Sequence, residues 1–117
     1  MAAPNIVGVT TITGKTAVLA ATTVATAIVA NPAASGKVFK INALYVSNVD
    51  NIGSADISID LFRSSTAYRI SSAIEVIGNT TIDVISKSIY LEEGDSLRLT
   101  ASVDGDLEAV CSYEELS

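Results

Sequence analysis

Alternation with a period of two constrains this chain more than any other feature of its sequence. Between Asp56 and Leu61, the apolar residues Ile57, Ile59 and Leu61 interleave with Asp56, Ser58 and Asp60. Between Ser96 and Val103, Leu97, Leu99, Ala101 and Val103 interleave with Ser96, Arg98, Thr100 and Ser102. From Leu107 onward, Leu107, Ala109, Cys111 and Tyr113 alternate with Glu108, Val110, Ser112 and Glu114. Successive side chains of a strand point to opposite faces, so each run reads as a half-buried antiparallel strand. The Leu97/Leu99 and Ile57/Ile59/Leu61 faces are then the expected core.

Turn chemistry separates the runs. Asp50-Asn51-Ile52-Gly53, Gly78-Asn79, Glu92-Glu93-Gly94-Asp95 and Asp104-Gly105-Asp106 supply residues that tolerate positive φ or bond their own backbone. The segment Val103–Leu107 reads as a tight hairpin. Weaker strands are expected at 37–49, 67–77 and 82–91; apolar residues occupy both faces of the first beyond Ala43, which suggests either a central strand or a bulge near Asn42. About eight short strands at this spacing predict an all-β, antiparallel β-sandwich of jelly-roll or immunoglobulin-like type. Barrel closure is the alternative.

The first 36 residues differ from the rest. They hold Ala, Thr, Val and Gly, with Lys15 as the lone charge. Asn5–Thr13 reads as extended. Thr16–Ala30 is ambiguous: its alanines allow a helix, but Val18, Thr22, Thr23, Val24, Thr26, Ile28 and Val29 are β-branched, lose rotamer freedom in a helix and favour strand. A loop follows at Asn31–Gly36, where Pro32 turns the preceding residue away from helical geometry. The expected organisation is one domain, with residues 1–36 as an N-terminal arm and first strands, and residues 37–117 as the sandwich core.

Composition bounds the function. Of the 117 residues 49% are apolar and 17% charged, more apolar than a small monomer needs to fill its core. Some of that surface is expected to face partner subunits. The net charge of −6, with seven basic residues that form no cluster, argues against nucleic-acid binding. No stretch reaches the roughly 18 apolar residues of a membrane span, so no membrane partner is expected. Met1–Asn5 lacks the basic and apolar regions of a signal peptide, so synthesis in the cytoplasm of the cell that makes it is expected.

No enzymatic activity, cofactor or metal is expected. Histidine is absent, which removes Ser–His–Asp and Cys–His nucleophiles. Cys111 is the single cysteine and reads as a buried, inert thiol. Glu92, Glu93 and Asp95 read as a solvated turn that keeps a strand edge from pairing, and Glu114-Glu115 reads the same way. Asp50, Asn51 and Asp56, or Asp104 and Asp106, could offer oxygens to calcium, but neither group has the spacing of a recognised calcium loop. Gly14-Lys15-Thr16 echoes the end of a phosphate loop, with Gly8 too far upstream and no helix following. Tyr68, beside Arg63 and Arg69 in a short connection, is the first candidate for an exposed aromatic, with core or rim packing still the favoured reading of the aromatics.

The segments Ile89–Leu99 (IYLEEGDSLRL), Leu107–Leu116 (LEAVCSYEEL), Gly36–Asn42 (GKVFKIN) and Val46–Asn48 (VSN) resemble small virion structural proteins of tailed bacteriophages, particularly of marine cyanophages. The resemblance covers most of the chain. It implies a virion component, often a β-sandwich in symmetric copies, with no catalytic residues to carry over. The expected role is a capsid decoration or cement protein bound to the major capsid protein. A neck or tail accessory protein is the alternative, and a receptor- or glycan-binding module of a fibre is a further one. The chain is expected to form a homo-oligomer through Asn5–Ala30. A trimer follows from the resemblance alone.

Overall fold

A computed structural model describes residues 5–117; residues 1–4, the start of the arm placed at 1–36, lie outside the described residues. Nine strands run in chain order: β1 Ile12–Ala20, β2 Thr26–Ala30, β3 Val38–Asn48, β4 Ala55–Arg63, β5 Thr66–Val76, β6 Thr81–Asp83, β7 Ile89–Leu91, β8 Ser96–Ala101 and β9 Leu107–Leu116. They form two antiparallel sheets. One has the order β1-β9-β3-β6, with β7 also paired to β3, and the other has the order β2-β8-β4-β5. The chain changes sheet at every connection except the β4–β5 hairpin and the step from β6 to β7. That alternation is the jelly-roll order, which selects between the two sandwich types expected.

The core forms where alternation predicts it. Ile57 and Ile59 of β4, Leu97 and Leu99 of β8, and Leu107, Ala109 and Cys111 of β9 are buried between the sheets. Ile41, Leu44 and Val46 of β3 join them. The β3 register slips between Ile41 and Ala43, at the position suggested for a bulge near Asn42. The slip lets apolar residues on both sides of Asn42 turn inward.

Two buried asparagines hold opposite ends of β3. Asn48 donates from Nδ2 to Gly53 O (3.1 Å) and Val76 O (2.9 Å), and its Oδ1 accepts from Asp50 N (2.9 Å). Asn31 donates to Lys37 O (2.9 Å) and Leu91 O (3.0 Å), and accepts from Ser35 Oγ (2.6 Å). Each side chain ties loop backbone to the last carbonyl of a strand, Val76 of β5 or Leu91 of β7. Close packing follows: a Cβ on Gly78 would stand 2.7 Å from Asp50 O. Gly94 adopts φ +87° and donates its N–H to Asn31 O, a conformation that suits glycine.

Several expectations are corrected. Val103–Leu107 is not a hairpin: β8 and β9 lie in different sheets, so this turn is a crossover. Val103 lies beyond the end of β8 and is exposed. The strand expected at 82–91 is two three-residue strands, β6 and β7. Thr16–Ala30 divides between β1 and β2, because Thr22 O accepts from Ala101 N and Asp104 Oδ1 accepts from Thr23 N, which fixes a corner there. Asn5–Thr13 begins with a 3-10 turn at Ile6–Gly8, capped by Asn5 Oδ1, and is not extended throughout. Asp60 points away from the core but is buried, with Oδ1 2.6 Å from Arg69 Nε in an ion pair without hydrogen-bond geometry.

Candidate functional site

Of the residues singled out for chemistry, Glu92, Glu93, Asp95, Asp104, Glu115 and Lys15 are engaged in contacts that hold the fold. The Glu92–Asp95 turn is solvated only in part, a further correction: Glu92 and Gly94 are exposed, as expected, but Asp95 is not. Asp95 is 2% exposed. Arg63 grips it with Nε to Oδ1 (2.8 Å) and Nη2 to Oδ2 (2.6 Å), and also reaches Glu92 (2.8 Å). Burial pushes the Asp95 carboxyl up, but hydrogen bonds from Arg63 and Glu92 N, with the Arg63 charge, outweigh it and leave it below its ordinary value. Glu93 accepts from Gly36 N (2.8 Å), which ties the turn to the loop after β2.

Glu115 behaves similarly, again against expectation. Its side chain is 12% exposed and lies 3.0 Å from Lys15 Nζ and 3.1 Å from Lys37 Nζ. Burial raises its carboxyl; hydrogen bonds from both lysines outweigh that and lower it. Lys15 is raised in turn by its hydrogen bond to Glu115. It therefore serves an ion pair, and the strand β1 that carries Gly14-Lys15-Thr16 makes no phosphate loop. Among the described residues, no group of three or more Cys, Asp or Glu is placed to hold a metal.

Cys111 is fully buried on the inner face of β9, and burial pushes its thiol up to about 11. A thiolate is the reactive form, so a thiol reagent should leave Cys111 unlabelled under native conditions and label it on denaturation. Rapid native labelling would show that the β9 face is assigned wrongly. Tyr68 is exposed at 56%, on β5 rather than in a connection, and Tyr45 and Tyr90 are exposed as well, against the core or rim packing expected.

What remains is surface, and its apolar part is uneven. Four loops at one end of the sandwich each present an aliphatic residue: Val24, Val49 with Ile52, Ile77, and Val103. The same loops carry Asp50, Asp104 and Asp106 and no basic residue. The second apolar region is β1, an edge strand that has, among the described residues, a partner, β9, on one side alone. Its outward face carries Ile12 (61% exposed) and Val18 (74%). Val18 lies beside Val110, and Val110 beside Tyr45, so one exposed apolar row crosses three strands. A depression of about 440 Å³ follows this rail, lined by Val18, Leu19, Ala20, Glu108, Ala109 and Val110.

An unpaired edge strand is a template for another chain, and proteins blunt it by shortness, bulges or charge. The other edges here are blunted. β2 has five residues and a register shift; β6 and β7 have three residues each. β5 is bulged, with Ala73 at φ +49° and its N–H on Ser58 Oγ, and it carries Arg69 and Glu75. β1 runs nine residues with an unbroken register and a single charge, which Glu115 engages. The sequence signal for it was the uncharged N-terminal third.

No family model matches the chain, and no curated protein matches it. Among solved structures, it is similar to a chain of the work described as "Bacillus endospore appendages form a novel family of disulfide-linked pili". The likeness covers 100% of this chain and 96% of that one, with a TM-score of 0.54 and 14% identity. At that identity the likeness concerns the fold, and it agrees with an all-β sandwich spanning the whole chain.

Proposed function

We propose that this protein is a non-catalytic structural subunit that assembles with other protein subunits, copies of itself included. The observation that carries the reading is β1, long, regular, apolar and open on one side. The exposed aliphatic loop tips give a further surface of the same kind. The setting proposed is the virion of a tailed phage, as a capsid decoration protein on the major capsid protein. That setting rests on the sequence resemblance, with a neck or tail accessory role as its alternative. A second reading, a subunit of a surface filament, draws on the likeness to a pilus chain. A fibre-tip glycan module is less favoured, because tryptophan is absent and the exposed tyrosines are few and divided between the sheets, Tyr45 and Tyr90 on one and Tyr68 on the other.

The test has two parts. Light scattering on the full-length protein gives its solution mass, and an oligomer is expected. Mixing with phage capsids that lack the protein should give saturable binding in multiples of three or six per capsomer. A protein that stays monomeric at high concentration and binds no phage component ends the reading.

A further inference from the structure

We infer that β1 pairs with β1 of a second copy, antiparallel about a two-fold axis at Thr16, so that the β1-bearing sheets of two subunits fuse into one. The inference rests on the assembly reading above and names its contact.

Charge and register select this arrangement. A two-fold axis normal to the sheet keeps outward faces together only if paired residues share the same parity along the strand. Centring the pair at Lys15 would set two lysines directly opposite, which is unfavourable. Centring it at Ala17 would pair Gly14 with Ala20 of the second copy. Gly14 sits beside Glu114 and Ala20 beside Glu108, so that register would put two acids in one cross-strand row. Centring at Thr16 avoids both conflicts and pairs all nine residues. Lys15 then meets Ala17, Ile12 meets Ala20, and Val18 meets Gly14.

The side chains fit the same register. A Cβ on Gly14 would meet nothing within 4 Å, so its bare backbone leaves room for Val18 of the other copy. Each outward row then holds at most one β9 acid. Glu114 faces the second copy's Val18 and Val110, and Glu108 faces its Ile12 and Leu116. Across the axis the apolar row Tyr45–Val110–Val18 meets Gly14 and then Glu114 of the second copy, and the edge hydrogen bonds of β1 gain partners.

The experiment uses the full chain. Thr16→Cys should form a disulfide-linked dimer on mild oxidation, because Cys111 is buried and the new thiols lie opposite each other across the axis. Thr16→Asp and Thr16→Lys should each weaken dimerisation by about tenfold or more, since each sets like charges face to face. Mixing those two variants should restore the dimer as a heterodimer. Thr16 is exposed in the subunit, and circular dichroism checks that each variant keeps its fold. A trimer or larger assembly in which Thr16→Cys does not cross-link, or a Thr16→Asp protein that assembles like the unmodified chain, overturns β1 pairing and leaves the assembly reading standing. A protein monomeric at every concentration, with no binding to phage capsids, overturns both.

Discussion

Replacing Leu99 by alanine is expected to lower the unfolding free energy by about 2–5 kcal/mol, measured by chemical denaturation. Leu99 is fully buried on β8, with Ile59 of β4 on one flank and Thr26 of β2 on the other. Truncation there loses transfer free energy and leaves a cavity between two sheets that the strand ladders hold in place. Arg98→Ala is the matched control. Arg98 points outward over the Phe62 ring, 4.2 Å from its centroid, so its loss should cost about 0.5–1 kcal/mol. Against a total stability of about 5–15 kcal/mol, the first change approaches the threshold of folding and the second does not. Equal, small losses at both positions would refute the face assignment.

Arg63→Ala is expected to cost about 3 kcal/mol at neutral pH, the low end for breaking a buried pair, because Arg63 itself is 41% exposed. The cost comes from Asp95, whose buried carboxylate would keep a single hydrogen bond, from Glu92 N (2.8 Å). Asp95→Asn in the same chain should recover part of the loss by removing the stranded charge. The pH dependence has a definite sign. Asp95 is lowered in the folded protein, so its contribution is complete above the unfolded value near 3.8 and is lost as pH falls through the folded one. Unmodified protein should therefore lose stability in acid faster than Arg63→Ala, and the gap should close there. A gap that stays constant from neutral pH into acid would show that Asp95 does not carry the effect.

The parts of the fold legible in the sequence are those where one face is buried and the other wet. Ile57/Ile59 and Leu97/Leu99 announce themselves because their neighbours are polar. The bulge at Asn42 is legible as a change of phase in that pattern. Connections were harder to read. Asp104-Gly105-Asp106 has hairpin chemistry, yet nothing local tells whether the next strand returns to the same sheet. The actual hairpin turns at Ser64 and Ser65, both with positive φ, where the residue types give no signal. Asp95 looked like a solvated acid because its partner, Arg63, lies on another strand. The edge status of β1 was legible in part: its lack of charge marks it as unusual, but which strands stay open depends on long-range order.

The pairing of β1 with β9 also sets a timetable. Ile12 lies opposite Leu116, so the first strand of the chain waits for the last. At ribosomal speeds of about 5–20 residues per second, some five to twenty seconds separate the synthesis of the two. Throughout that interval β1 lacks even the partner it has in the finished subunit, so both of its edges are open. Nascent copies on neighbouring ribosomes would then expose the same uncharged strand to one another. Slow translation of the C-terminal half should raise the yield of insoluble chain, and early supply of a β9 peptide should lower it.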